Sequence, residues 1–485
     1  MKGLGSNAKN GPATRTLRQG DLISLRITGL SHEGEGVGRH RDLAVFVPGG
    51  VPGDRLEVRV TEIKRNYARG KIVSVGEPSL IRTNPRCGIY EPCGGCQLQH
   101  IDYARQLELK AQLVRDALDR IGKLSEVKVH PTLGAAHPWH YRNKAQFPVG
   151  ISVGGPPRIV GGCYARGTHR IIDAEECYIQ HPTNNAILAQ ARRLIEKYGL
   201  SVYDETTGRG LVRHVLARVG TRTGEAMAVI VTNGESIPRG SDFARELMAS
   251  VPGLVSVVQN VNTRRTNVTL GAETRLLAGR ETIEDRIGDL KFKISARSFF
   301  QVNPEQTEIL YAKALEYAAL TGAETVIDAY CGIGTITLFL ARRAESLARR
   351  EGRSPGRIYG IEEVPEAIKD ARENAELNGV VNAEFQVGRV EEIAPELYAR
   401  GVRAEVVVVD PPRRGCEPSV LETFVSMTPA RVVYVSCNPA TLARDLAYLG
   451  ERGYRTEEVQ PVDMFPHTSH VECVIMMTNS GSKDK

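Results

Sequence analysis

Hydrophobic positions follow three different rhythms along the chain. From about Leu17 to Val75 apolar and polar residues alternate in short runs at 22–27, 43–47, 55–60 and 70–75. The runs are separated by Gly-Glu-Gly-Val-Gly and Pro-Gly-Gly-Val-Pro-Gly-Asp. Period-two runs with glycine punctuation predict the strands of a small β-barrel. Residues 101–121 carry Leu107, Ala111, Val114, Leu118 and Ile121 on one stripe, which predicts an amphipathic helix. Between about 139 and 290 strand-like runs alternate with helical ones, and 211–219 pairs as a hairpin with 226–231, apolar side inward and Arg-rich side outward. From about Phe292 strand and helix alternate regularly, with strands read at 325–329, 357–361, 383–387, 405–409, 431–436 and near 473–477. That grammar predicts a doubly wound α/β domain with a mainly parallel sheet. No internal repeat is evident.

The predicted layout is a disordered leader at 1–14, the barrel at 15–76, a central α+β domain at 77–290, the doubly wound domain at 291–478 and a polar tail at 479–485. A chain of 485 residues is too long for one core, so several domains agree with its size. Hydrophobic content of 41% and charged content of 25% are those of an ordinary globular protein. There is neither an apolar run long enough for a bilayer nor an N-terminal signal-peptide core, so a cytoplasmic location is expected. The formal charge of +6 admits a polyanionic partner without demanding one. Lys64-Arg65-Asn66-Tyr67-Ala68-Arg69 mixes cations with an aromatic, as RNA-binding surfaces do, although a solvated strand face reads the same way.

Nine cysteines, odd in number and clustered, point to metal binding or catalysis in a reducing compartment. Cys87, Cys93 and Cys96 lie within ten residues, the last two flanking a Gly pair. They are spaced to wrap one metal centre, with Cys163 or Cys177 as a fourth ligand. Thiolate-rich sites of four ligands serve zinc or iron–sulfur clusters, and the spacing departs from the short pairs of zinc ribbons.

The doubly wound segment holds the densest chemistry. Val326-Ile327-Asp328-Ala329-Tyr330-Cys331-Gly332-Ile333-Gly334-Thr335 reads as strand, Gly-x-Gly turn and helix start, with an acid ahead of the turn. Glu362 ends the next strand, where a carboxylate can accept from both ribose hydroxyls, with Glu363 as its competitor. A nucleoside cofactor without a pyrophosphate fits, S-adenosylmethionine being the natural choice. Asp410-Pro411-Pro412-Arg413 presents a carboxylate from a rigid turn. Its Arg413 stands where methylases of exocyclic amines carry an aromatic. Val432-Val433-Tyr434-Val435-Ser436-Cys437-Asn438-Pro439 delivers a thiol to a strand end, and Glu472 lies near the same edge. Methylating C5 of uracil needs such a pair. A thiolate adding at C6 makes C5 nucleophilic, and a base then removes the C5 proton so that the thiol can leave. Some local activation of the Cys437 thiol is expected.

Together these motifs, with Phe465-Pro466-His467-Thr468 ahead of Glu472, resemble the RNA (uracil-5-)-methyltransferase family. The thiol run and the β-rich N-terminal segment, similar to a TRAM domain and OB-like, resemble its 23S ribosomal RNA branch. The resemblance spans about residues 17–478 and implies a Rossmann-like S-adenosylmethionine-dependent domain. It implies Cys437 as nucleophile, Glu472 as proton acceptor, and Gln301, Tyr330, Glu362 and Asp410 as cofactor contacts. It implies a [4Fe-4S] cluster on Cys87, Cys93, Cys96 and Cys177, the last chosen over Cys163 by the context Glu175-Glu176-Cys177-Tyr178-Ile179. Some members have Asn as a cofactor contact where Thr335 stands. The implied partner is RNA, most directly 23S rRNA, with a tRNA uridine as the alternative and no membrane or protein partner. A cytosine-5 methyltransferase would carry a second Cys directly after the Pro where Asp-Pro-Pro-Arg stands. A non-enzymatic RNA-binding iron–sulfur protein would not need Cys437 and Glu472.

Overall fold

The computed structural model describes residues 17–152 and 156–481. The leader expected at 1–14 lies outside the described residues, as do residues 482–485 of the tail. The chain divides into two compact units, one of residues up to Asn84 with His100–Asp102, the other of Pro85–Gln99 with everything from Tyr103 onward.

The first unit is a closed barrel of β1 (Leu22–Leu30), β2 (Gly36–His40), β3 (Leu43–Val47), β4 (Arg55–Ile63) and β5 (Tyr67–Glu77), joined in the order β1-β2-β3-β5-β4. Alternation does the work: Ile23, Leu25 and Ile27 of β1 and Leu56, Val58 and Val60 of β4 point into the core, their neighbours outward. The glycine-rich run at 34–38, expected as a break, instead enters a strand. A Cβ on Gly38 would lie 2.4 Å from the Arg26 carbonyl oxygen, so these glycines let neighbouring strands of a tight barrel approach. Asp54, fully buried, accepts from the Val51 and Ser79 N–H groups at 2.7 and 2.8 Å and pairs with Arg82 at 2.5 Å.

The second unit begins with α1 (Tyr103–Ala117) and the short β6 (Lys128–Val129). The predicted stripe holds at Ala111, Val114 and Leu118, but Ile121 is 50% exposed. Helix α1 runs into a π-helical turn at Leu118–Gly122, and that wider turn rotates Ile121 off the stripe. A seven-stranded sheet follows, built from β7 (Lys144–Ile151), β8 (Ile159–Tyr164), β9 (Ile171–Asp173), β10 (Val212–Val219), β11 (Ala226–Thr232), β12 (Leu254–Val261) and β13 (Glu273–Gly279). Helices α2 (Pro182–Lys197) and α3 (Gly240–Ser250) cover one face. The expected β10–β11 hairpin forms, yet every residue of β10 is buried. Its arginines do not face solvent: Arg213 Nη1 donates to the Asn262 and Arg264 carbonyls at 2.7 and 2.8 Å, and Arg218 Nη2 to those of Ala296 and Ser298 at 3.2 and 2.5 Å. Carbonyls supplied by distant loops make this burial tolerable.

The hairpin β14 (Ile283–Ile287) and β15 (Leu290–Ile294) leads to the doubly wound part. There α4 (Pro304–Ala318), β16 (Val326–Ala329), α5 (Thr335–Arg350), β17 (Ile358–Glu362), α6 (Pro365–Leu377), β18 (Ala383–Val387), α7 (Val390–Ala399), β19 (Val406–Val409), α8 (Pro418–Met427), β20 (Arg431–Ser436), α9 (Pro439–Gly450), β21 (Tyr454–Val462) and β22 (Glu472–Asn479) alternate. The sheet order is β18-β17-β16-β19-β20-β22-β21-β6, parallel from β18 to β20, with β22 antiparallel to both of its neighbours. Two features differ from the predicted layout. Strand β21, polar and carrying Pro461, was not expected, and β6 from the predicted central region pairs beside it. One hydrophobic core also runs from Leu216, Met227 and Val229 of the central sheet through Phe292, Leu310 and Tyr311 to Val408 and Val435, so the two sheets share an interior across residue 290. No helix among the described residues is long and apolar enough to cross a membrane.

Candidate active site

The strand order reverses between β16 and β19, and open α/β sheets bind ligands at the carboxyl edge of such a switch point. At this edge β16 leads into Tyr330, β17 ends on Glu362, β19 leads into Asp410 and β20 into Cys437. Because β22 runs the other way, its first residue starts where β20 ends. Register Ser436↔Cys473 sets Cys437 and Glu472 one step beyond the same rung. The predicted nucleophile and proton acceptor, 35 residues apart in sequence, are thus neighbours at one sheet edge.

Local sequence explains the presentation of the thiol. Asn438 caps α9 by accepting the Ala440 N–H at 3.0 Å, and Pro439 occupies the first helical turn, so the chain turns directly after Cys437. The Asn438 amide and the Thr441 hydroxyl both donate to the Arg413 carbonyl, at 3.0 and 3.3 Å. Asp445 of α9 accepts the Cys416 N–H at 2.9 Å and the Tyr434 hydroxyl at 2.7 Å. The Asp-Pro-Pro-Arg turn is therefore fastened to the helix that Cys437 precedes.

Charge at this edge is unbalanced. Burial, helped by Asp410 and opposed by Arg413, pushes the carboxyl of Glu472 up to about 8. Burial raises Asp410 to about 7. The Cys437 thiol is pushed up to about 12 by burial and then by Glu472 and Asp410, against Arg413. Local activation of the thiol, expected from the chemistry, is therefore not seen, because burial outweighs what the one guanidinium, Arg413, contributes. The thiol rests protonated.

On the other side of the switch point, Glu362 faces the glycine turn: Oε2 accepts the Gly332 N–H at 3.3 Å and Oε1 the Val364 N–H at 3.0 Å. Its competitor Glu363 is exposed. Tyr330, Gly332 and Gly334 have φ of 65°, 55° and 81°, a left-handed backbone that two glycines adopt without strain and Tyr330 does not. A Cβ on Gly360 would meet Phe385 at 2.7 Å, which keeps the strand behind the turn flush with its neighbour. Gln301 is buried just ahead of α4, with its carbonyl accepting from the Asn143 amide at 3.0 Å. Thr335 bonds the Tyr311 hydroxyl at 2.8 Å. Asp328 was not among the predicted site residues. Fully buried, it accepts from Thr337 at 2.5 Å through Oδ2, while Oδ1 has no partner among the described residues. Its signal in the sequence was an acid closing a strand ahead of a Gly-x-Gly turn.

The thiols gather elsewhere. Cys87, Cys93, Cys96 and Cys177 line one cavity of about 450 Å³, and so does Cys163. The antiparallel bridge Cys93↔Ala165 and the Gly94 N–H donated to Tyr164 O at 2.9 Å dock the thiol loop on the end of β8. The Cys163 thiol lies within hydrogen-bond reach of Cys93 and Cys177 and lowers both. Burial pushes Cys96 up to about 12. The same cavity continues past Arg142 and Lys144 to Arg413 and His470, with no carboxylate among the described residues that line it. Burial, with Arg218 and Arg142, pushes Lys144 down to about 7.

Residues 260–480 match the family described as tRNA (Uracil-5-)-methyltransferase, and residues 17–73 match the TRAM domain. A Bacillus cereus protein named "Uncharacterized RNA methyltransferase" is 50% identical over 96% of this chain and 98% of its own. A Caldanaerobacter subterraneus protein of similar name is 50% identical over 94% of this chain and 98% of its own. The crystal structure of the Pyrococcus abyssi tRNA (uracil-54, C5)-methyltransferase with S-adenosyl-L-homocysteine superposes with a TM-score of 0.73 at 28% identity, covering 94% of this chain and 99% of that one. The chain belongs to the RNA (uracil-5-)-methyltransferase family.

This RNA methyltransferase draws its methyl group from S-adenosylmethionine, and its glycine turn fits that cofactor. The orphaned Oδ1 of Asp328 behind the turn and Glu362 at the end of β17 are acceptors beside it, and Gly332, where a Cβ would meet nothing within 4 Å, leaves the turn open to approach. For the metal centre the fit is partial. Among the described residues no three His, Cys, Asp or Glu side chains close around a point as ligands of a single ion do, so the thiols ring a space instead. The gathered thiols do not by themselves show the expected cluster, and Cys163 lines the cavity as much as the four implied ligands do.

Proposed function

We propose that the enzyme methylates C5 of a uridine in 23S rRNA through a covalent adduct on Cys437. The adjacency of Cys437 and Glu472 at the edge where Asp410 also ends carries this reading. In it, the Cys437 Sγ–H gives its proton to solvent as sulfur bonds to uracil C6, and the C5–C6 π pair moves toward the C4 carbonyl as an enolate whose C5 takes the methyl group. When bound, S-adenosylmethionine supplies the methyl group and a cationic sulfonium, the charge that this acid-rich edge lacks. Glu472 accepts the C5 proton, the C5–C6 double bond re-forms, and the C6–S bond breaks to release the thiolate, which takes a proton back from solvent. Ionised Glu472 is the competent form, so the last step gains with pH through about 8.

The cavity beside this edge, lined by Arg142, Lys144 and Arg413 and by no carboxylate among the described residues, supports a polyanionic substrate, since RNA phosphates would add counter-charge to its cations. Cys87, Cys93, Cys96 and Cys177 would hold the [4Fe-4S] cluster, which supplies no redox step to this reaction. The thiol run beside a TRAM domain favours ribosomal RNA. The Pyrococcus abyssi enzyme, by its name, acts on tRNA uracil-54, which makes a tRNA uridine the second reading. Labelled S-adenosylmethionine offered with unmodified 23S rRNA and with tRNA, followed by digestion to nucleosides, separates them. Label in 5-methyluridine from rRNA alone is the expected result; label from tRNA alone moves the substrate. Label in 5-methylcytidine, or none from either RNA, overturns the reading.

A further inference from the structure

The loop that carries three of the thiols is bonded directly to the stretch that leads into Glu472. Between Cys87 and Cys96 there is no helix or strand, so this loop takes its shape from what its side chains and peptides touch. Immediately after it, the N–H groups of Gln97 and Leu98 both donate to the carbonyl of His467, at 3.0 and 2.9 Å. The Gln97 side chain spans the two sides of the junction. Its Nε2 donates to the Gly94 carbonyl at 2.9 Å inside the thiol loop, and its Oε1 accepts the Ser469 N–H at 3.3 Å.

His467 is an unusual place to be held. It is a non-glycine residue at φ 67°, a conformation that persists only where the surroundings over-determine it. Its ring stacks on Trp139 at 3.7 Å, and Gln106 accepts its N–H at 3.1 Å while also donating to the Leu98 carbonyl at 3.0 Å. Upstream, Lys110 pairs with Asp463 and donates to the Phe465 carbonyl at 3.1 Å, and the Tyr141 hydroxyl holds the Pro466 carbonyl at 3.1 Å. Helix α1 and the approach to β7 thus seat residues 463–466 and the N–H and ring of His467, whereas the His467 carbonyl and the Ser469 N–H are held by the residues directly after Cys96. Glu472 follows three residues after Ser469.

We propose that Gln97 is a positioning residue that transmits the seating of the thiol loop to the catalytic edge, so that a metal centre held by those thiols acts on C5 deprotonation through geometry. This inference rests on the Cys437 and Glu472 reading above. A proton acceptor works only within hydrogen-bond reach of the proton it removes, and a displacement of about 1 Å costs on the order of a hundredfold in rate. A thiol loop that relaxes releases the His467 carbonyl and the Ser469 N–H, and Glu472 with them. No electron transfer is required of the metal centre.

Gln97→Ala and Gln97→Glu, made in the full chain and purified anaerobically with iron, test it. The Ala variant is expected to keep its iron and visible absorption and to hold KM for RNA within about twofold. Its kcat is expected to fall about tenfold, with the covalent RNA adduct persisting on a denaturing gel. The Glu variant keeps the acceptor for the Ser469 N–H but loses the donor to the Gly94 carbonyl, and is expected to recover part of the adduct release. Amide exchange at residues 467–472 is expected to quicken both in the Ala variant and in wild-type protein stripped of iron by a chelator, while that of β16 to β20 is unchanged. Exchange at 467–472 indifferent to iron removal overturns the proposal. So does an Ala variant with wild-type kcat, one whose defect lies in KM, or a Glu variant no better than Ala. If Glu472→Gln itself accumulates no adduct, the proposed mechanism fails first; if it does and Gln97→Ala does not, this inference alone fails.

Discussion

Replacing Glu472 by Gln keeps the size of the side chain and removes its capacity to accept a proton. With its carboxyl at about 8, roughly a tenth of the wild-type enzyme is ionised there at pH 7, so the wild-type step itself operates below its maximum. General-base assistance is worth about 10²–10⁴ in rate, and multiple-turnover kcat is expected to fall by that amount. The earlier steps fare differently. Removing one of the two carboxyls that raise Cys437 lowers the thiol's pKa, so attack on C6 is no slower than in wild type. The variant should therefore transfer one methyl group per enzyme molecule and stop. With end-labelled RNA and equimolar enzyme, a denaturing gel should show a near-stoichiometric, long-lived protein–RNA band, transient in wild type. Wild-type product release should climb through a midpoint near pH 8 and level off above about pH 9, and the variant should lack that limb. Product release at the wild-type rate, or absence of any adduct in a variant that binds both substrates, would refute the reasoning.

Cys437→Ala should bind S-adenosylmethionine as wild type does, by calorimetry, and give neither 5-methyluridine nor adduct. Lys110→Met leaves Asp463 charged and unpaired where both partners are 0% exposed, and should lower unfolding free energy in denaturant by about 3–5 kcal/mol, most of it regained in Lys110→Met with Asp463→Leu. Burial raises Asp328 from 3.8 to about 7, so the folded chain keeps a proton that the unfolded chain releases over that interval. The favourable contribution is complete below pH 4 and is lost as pH rises through about 7; Asp328→Asn should match wild type near pH 4 and exceed it at pH 8 by on the order of 1–3 kcal/mol, read from unfolding curves at each pH.

The chemistry was legible because it is written in contiguous motifs. Ser-Cys-Asn-Pro states a strand end, a thiol and a helix cap in consecutive letters, and α9 begins where that text says, with Asn438 as its cap. Alternation in 22–27 and 55–60 likewise named the inward residues of β1 and β4, since a period of two leaves one choice of face. Legibility failed where a residue's role depends on distant chain. The glycines of β2 are required by the Arg26 carbonyl across the barrel, and the arginines of β10 are buried because carbonyls near 262 and 296 receive them. Strand β21 reads as polar, with a proline, because its neighbours β22 and β6 rather than its own composition make it a strand.

Sequence alone determined the family, through motifs each about a dozen residues long, and the barrel and doubly wound architectures, through the rhythm of strand and helix along 15–76 and 291–478. Tertiary structure decided how the thiol and carboxyl groups behave. It placed Glu472 against Cys437 by reversing one strand, drew five thiols rather than four around a cavity, and joined that thiol loop to His467 across 370 residues of chain. It also left the thiol protonated, since the field at a buried edge is a sum over groups from separate strands, which no stretch of sequence contains.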